Sequence, residues 1–180
     1  MGRYWLGRRT VRRGGRTLAM GLALIALGGC AVLVGGEPRQ DPTAIPTLAT
    51  GGETGRVTRV IDGDTIDVRI GTEIYRVRYV GVNTPERDEP CYDDATAANA
   101  ALVDDRVVTL VRDVSDTDRY GRLLRYVYVG DVFVNAQLVA DGYAEAGYYP
   151  PDVAFNAYFE DLEAAARRQQ IGCHPTGVFR

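Results

Sequence analysis

Between residues 55 and 129 the apolar positions fall into short runs, most of them repeating every second residue. Ile66, Val68 and Ile70 alternate with Asp67 and Arg69, the period of a strand with one buried face. Gly71-Thr72 predicts a turn. A third strand is predicted over 74–82, with Tyr75, Val77 and Tyr79 on one face and Arg76 and Arg78 on the other. Gly55 to about Ile61 reads as the strand before these, and 107–111 and 123–129 as two more, the last followed by a Gly130-Asp131 turn. Helical signals come between and after. The alanine-rich stretch 93–103 predicts a helix. Asn135 is placed to cap a short helix through Asp141 that Gly142 ends, and Asp152 to cap a last helix running to about Gln170. Val153, Ala157, Tyr158, Leu162 and Ala165 form the apolar side expected for that last helix. Five short strands with helices inserted late predict a small β-barrel with packed helices, an α+β domain that is mainly β. Strand order alone does not choose among the small barrels.

The first 54 residues follow a different pattern. Arg8 to Arg16 is a basic segment, and 18–27 (LAMGLALIAL) is an apolar one. Leu27-Gly28-Gly29-Cys30 looks like the lipobox of a bacterial-type lipoprotein, with Cys30 as the lipidated residue, and Arg8-Arg9 resembles a twin-arginine export signal. Residues 17–36 carry no charge over 20 positions, so an uncleaved membrane-spanning helix is the alternative, its basic flank inside. Simple secretion is the third reading; all three place the rest of the chain outside the cytoplasm, and the first two anchor it to a membrane. Residues 37–54, with three prolines and no apolar period, read as the end of a flexible linker. The expected organisation is therefore a signal or anchor over 1–29, a linker over 30–54, a folded domain over 55–175 and a tail over 176–180.

Charge changes what that domain can bind. The first 29 residues hold six arginines and no acid; from Cys30 onward, 15 arginines face all 24 acids, a net charge of −9. Nucleic-acid affinity usually comes from a basic surface that neutralises phosphates. This body repels polyanions at long range, so any chemistry on them must come from a local site. The chain has no lysine.

Three segments offer such a site: Ile61-Asp62-Gly63-Asp64-Thr65, the run from Arg78 through Asn83-Thr84-Pro85-Glu86, and Asp118-Arg119-Tyr120-Gly121-Arg122. Phosphodiester hydrolysis needs oxygen ligands for a hard cation, a base to activate water, and guanidinium groups that match phosphate oxygens and meet transition-state charge. Each segment alone is an ordinary turn or strand end. Together, in this order and spacing, they resemble the staphylococcal nuclease family, over about Gly55 to Gly172. The resemblance implies an OB-fold, a five-stranded β-barrel with three packed helices, and a monomeric calcium-dependent endonuclease that hydrolyses DNA and RNA. It implies Asp64, Asn83 and Thr84 as ligands of Ca²⁺, Thr84 through its carbonyl. It implies Glu86 as the base and Arg78 and Arg122 as the phosphate clamp. Arg119, Tyr120 and Tyr148 fall at substrate-contact positions, and Tyr149 takes a second stacking role if the match loses one residue before Pro150. Asn83 departs from the family pattern, which has aspartate there; one negative charge is gone, and weaker Ca²⁺ binding is expected. The alternative is a catalytically weakened nucleic-acid-binding module at the cell surface. The retention of Asp64, Arg78, Glu86 and Arg122 argues against it.

Apart from Cys30, the cysteines are Cys91 and Cys173. In a domain outside the cytoplasm two cysteines favour one disulfide, with two separate thiols as the alternative. His174 has no catalytic neighbour in sequence and reads as an exposed tail residue.

Overall fold

A computed structural model describes residues 51–179. The signal, lipobox Cys30 and most of the linker lie outside the described residues. Five strands close a barrel: β1 (Glu53–Val60), β2 (Thr65–Ile70), β3 (Glu73–Tyr79), β5 (Val107–Val111) and β6 (Leu123–Val129). The order β3-β2-β1-β5-β6 is antiparallel throughout, and parallel pairing of β3 with β6, Val77 opposite Leu123, closes it. A short strand β7 (Val132–Phe133) extends β6, and a separate ribbon pairs β4 (Val82–Asn83) with β8 (Glu145–Ala146). Three helices complete the domain: α1 (Tyr92–Val103), α2 (Val134–Ala140) and α3 (Asn156–Gln169). The architecture is a five-stranded OB-type barrel with three helices, α+β and mainly β.

The period-two pattern does what the strands require. Ile66, Val68, Val77, Val108, Leu110 and Val127 are fully enclosed, while Arg69 and Val107 face out. Outside the barrel, α2 and α3 cover an aromatic cluster in which Phe155 packs edge-on against Tyr126 at 4.6 Å and Phe133 stacks on Tyr128 at 4.4 Å. At about 25 cal/mol per Å² of apolar surface removed from water, buried rings such as Tyr126, Tyr128 and Phe159 contribute heavily to the core.

The structure corrects several expectations. The strand predicted over 74–82 breaks at Val80-Gly81, and Val82 joins the second ribbon. Gly81 has φ +75°, and a Cβ there would lie 2.7 Å from the Phe159 ring, so the break needs glycine. Tyr75, on the same face as the buried Val77 and Tyr79, is itself exposed. Asn135 caps nothing; it lies inside α2, fully buried, accepting from the Val127 N–H and donating to the Val80 carbonyl. Asp152 precedes α3 by four residues and instead accepts from the Val114 and Ser115 N–H groups. On α3, Tyr158 and Leu162 pack against the core as expected, but the fully buried residues are Phe159 and Ala166, and Ala157 is exposed. The sheet begins at Glu53, inside the stretch read as linker, pairing Glu53 with Leu110. At the other end His174 and Phe179 are buried against each other, centroids 5.2 Å apart, so neither the tail nor the histidine is a solvated appendage. Burial also holds the His174 imidazole below its ordinary pKa.

Candidate active site

The turn between β1 and β2 carries Asp62-Gly63-Asp64. Its geometry is fixed locally by the Asp64 N–H donating to Asp62 Oδ1 at 3.1 Å and by the Ile61 N–H donating to the Thr65 carbonyl at 2.9 Å. From α1, the Asn99 amide donates to the Asp62 carbonyl at 2.8 Å and its oxygen accepts from the Tyr79 hydroxyl at 2.8 Å. Gly63 lies so close to Thr84 that a Cβ would sit 2.7 Å from its hydroxyl. The turn and the β4 strand end are therefore pressed together, and Asp64 points into the seam.

Asp64 is 5% exposed. Its carboxylate accepts from the Thr65 hydroxyl at 3.1 Å, the Thr84 N–H at 3.0 Å and the Thr84 hydroxyl at 3.1 Å, and it forms an ion pair with Arg78. Burial pushes the carboxyl up to about 6, although Arg78 and the Thr84 donors pull the other way. The site thus holds a charge that its own cation does not fully satisfy. Arg78 also donates to Asn83 Oδ1 at 3.0 Å, and Asn83 Nδ2 donates to Glu145 Oε1 at 3.2 Å. Burial, relieved in part by that bond, raises the Glu145 carboxyl above its ordinary value. Asp64, Asn83, Thr84 and Arg78 are in direct contact.

Glu86 follows on an exposed loop. Its N–H donates to Glu89 Oε2 at 2.7 Å and its carbonyl accepts from the Glu89 N–H at 2.8 Å, a reciprocal clasp that fixes the loop's backbone and leaves the Glu86 side chain in solvent. Cys91, at the head of α1, is joined to Cys173 by a disulfide that closes 82 residues of chain. For a loop of that length the chain-entropy model gives about 4 kcal/mol.

The third segment is organised by Asp118. Its carboxylate accepts from the Tyr120 N–H at 2.9 Å, the Arg122 N–H at 3.0 Å and Arg122 Nε at 2.6 Å. Burial opposes its charge, but these donors prevail and hold the carboxyl below its ordinary value. Arg119 lies over the exposed Tyr120 ring at 4.7 Å, with Arg122 at 5.6 Å from the same ring. A cavity of about 400 Å³ joins this segment to the start of the second; Arg78, Asp118, Arg122, Tyr149, Pro151 and Asp152 line it. Tyr149 is on that lining, whereas Tyr148 is exposed and is not.

The geometry admits comparison with known proteins. The family model described as "Staphylococcal nuclease homologue" matches residues 76–173, more than half of the chain. The chain is 37% identical over 127 residues to the thermonuclease of Staphylococcus intermedius, covering 67% of this chain and 75% of that protein. It is 33% identical over 122 residues to the thermonuclease of Staphylococcus hyicus, covering 64% and 72%, and 37% identical over 121 residues to the endonuclease YncB of Bacillus subtilis, covering 63% and 57%. The chain belongs to the staphylococcal nuclease family.

In this member of the family the oxygen donors at the site are mostly neutral. Among the described residues no three His, Cys, Asp or Glu side chains converge as a metal cluster. The available set is one buried carboxylate, Asp64, with the neutral oxygens of Asn83 and Thr84. All are hard oxygen donors, one of them charged, so the set fits a hard cation bound by few charges. Three residues to which the sequence assigned no role also shape this staphylococcal-nuclease-type site. Asp118 left a trace in sequence, four positions before Arg122. Glu145 and Asn99 left none, because their partners Asn83 and Asp62 are 62 and 37 residues away.

Proposed function

We propose that the protein is a calcium-dependent nuclease that hydrolyses phosphodiester bonds in DNA and RNA outside the cytoplasm. One observation carries the reading: Arg78 belongs both to the buried Asp64–Asn83 cluster and to the lining of the cavity that presents Arg122. A phosphate bound between the two guanidiniums lies next to an oxygen-donor set, the juxtaposition that phosphodiester hydrolysis needs. The nuclease names of its relatives support the same chemistry.

Asp64, Asn83 and the Thr84 carbonyl would hold Ca²⁺, which when bound draws negative charge from the phosphate. Arg78 and Arg122 donate to the non-bridging oxygens, and those bonds strengthen as charge builds on them. Glu86, solvent-exposed and backbone-clamped, accepts a proton from the attacking water as its oxygen bonds to phosphorus. The P–O bond opposite breaks, and Arg122 steadies the departing oxygen. Arg119, Tyr120, Tyr148 and Tyr149 hold the chain through phosphate and stacking contacts, which read no bases and accept either nucleic acid.

The export signal and lipobox Cys30, or an uncleaved N-terminal helix, would anchor a monomer at the cell surface. The disulfide supports a compartment in which disulfides persist. Among the described residues no helix is long and apolar enough to cross a membrane. The test is to incubate the full-length protein with DNA and with RNA, in Ca²⁺ and in chelator. Cleavage of both substrates only with Ca²⁺ is expected; binding without cleavage would return the surface-module reading, and cleavage in chelator would remove the cation's role.

A further inference from the structure

Asn83 is gripped from both ends of its amide. On β4 it pairs across the ribbon with Glu145 of β8. The ribbon is itself tied down, since the Ala146 N–H donates to Glu163 Oε2 at 3.0 Å and the Gly147 N–H to the Gly81 carbonyl at 2.9 Å. On one side Arg78 Nη2 lies 3.0 Å from the amide; on the other, Glu145 Oε1 lies 3.2 Å from it. A guanidinium only donates and a carboxylate only accepts, so the two neighbours select one orientation of a group that is otherwise nearly symmetric. The oxygen must face Arg78 and the nitrogen must face Glu145.

That orientation matters because the two faces of the amide are chemically opposite. Asn83 Oδ1 shares Arg78 with the Asp64 carboxylate, so it stands on the side where the oxygen donors gather. Turned over, the amide would offer N–H groups to Arg78 and to any cation beside Asp64. We infer that Glu145 is a positioning residue for the cation site: by accepting from Asn83 Nδ2 it holds the amide oxygen among the ligands. The inference rests on the calcium reading given above. It also explains why a neutral residue suits position 83. An aspartate there would set two carboxylates against each other across the ribbon, and like charges at that distance do not both ionise freely. Asn83 with Glu145 is one matched arrangement of donors and acceptors; aspartate at 83 with lysine at 145 is the other.

The matched pair gives the experiment. Glu145→Lys places a second donor against the amide, so Arg78 and the new ammonium compete for its one oxygen. Glu145→Gln keeps an acceptor. Ca²⁺ binding to the full-length protein, followed by calorimetry, is expected to weaken by about tenfold in E145K, from the loss of an oriented ligand, and to stay within about threefold of wild type in E145Q. The double variant N83D/E145K is expected to recover wild-type affinity or better, and N83D to gain less in the wild-type background than in the E145K background. Affinity in E145K within about twofold of wild type, or no recovery in the double variant, overturns the inference. Thermal unfolding in chelator separates its failure from that of the calcium reading. There Asn83→Asp must lower the midpoint in the wild-type background and raise it in the E145K background. If the wild type shows no Ca²⁺ binding at all, the calcium reading falls alone. The change of sign in chelator then upholds the contact between 83 and 145, and the same sign in both backgrounds overturns it.

Discussion

Asp64 and Arg119 lie at two parts of one family site, and their surroundings differ in kind. Asp64 is enclosed, with donors from three residues of β2, β3 and the β4 end fixed on it before any ligand arrives. Arg119 has an exposed loop around it, a hydrogen bond of 2.6 Å to the Tyr120 hydroxyl and that ring beneath it. The first region is part of the folding core and holds a charge in a place where charge is costly. The second is held in water by contacts of about 1 kcal/mol or less. A chain can alter the second without unfolding, while changes in the first register as stability before they register as chemistry.

The contrast is testable in descending order of effect. Glu86→Gln is expected to lower kcat by about 10²–10⁴. Because Glu86 is exposed and only its backbone is clasped, the unfolding midpoint should stay at the wild-type value; steady-state cleavage and a thermal melt of the same sample check both. Arg78→Ala leaves the Asp64 carboxylate buried without its cation and is expected to cost about 3–5 kcal/mol in stability, against within about 0.5 kcal/mol for Arg119→Ala. Urea unfolding in chelator measures the pair, and equal losses would erase the distinction drawn here. Alanine at Tyr149, on the cavity lining, is expected to weaken single-stranded oligonucleotide binding by about 1–3 kcal/mol, and at Tyr148 by less, with neither melt altered.

The smallest net effect is on the pH profile, because two carboxylates act in opposite directions. Asp64 titrates from 3.8 when unfolded to about 6 when folded. Between those values the native state holds a proton that the unfolded state has lost, so metal-free stability falls as pH rises through that window. Asp118 is depressed in the fold, so its contribution is present above its ordinary value of 3.8 and is lost as pH falls through the lower folded value. Melts in chelator from about pH 3 to about pH 8 should show Asp64→Asn removing the first slope and Asp118→Asn the second.

Much of this was legible in the sequence for a physical reason. The barrel strands bury alternate residues, so Ile66, Val68 and Val77 announce themselves by period, and the motif residues are local to turns that glycine and proline mark. What was missed depends on distant contacts. Asn135 has the chemistry of a cap, yet its amide serves Val127 and Val80, and no local signal distinguishes those uses. The third strand looked continuous because Gly81 reads as tolerated within a strand until Phe159, far along the chain, occupies the space beside it. Glu145 in isolation is one acid among many; only the β4–β8 register sets it opposite Asn83.

Asp152 carries a consequence for remodelling the enzyme. Its carboxylate grips the Val114 and Ser115 N–H groups, and nearby the Asp113 carboxylate accepts from the Ala154 N–H at 3.0 Å. The stretch that ends in Arg122 and the stretch that begins at Tyr148 are thereby riveted into one plate. A graft that exchanges either loop for one of another length leaves half a rivet behind. The two must be swapped as a unit, and substrate range will be inherited as a single cassette.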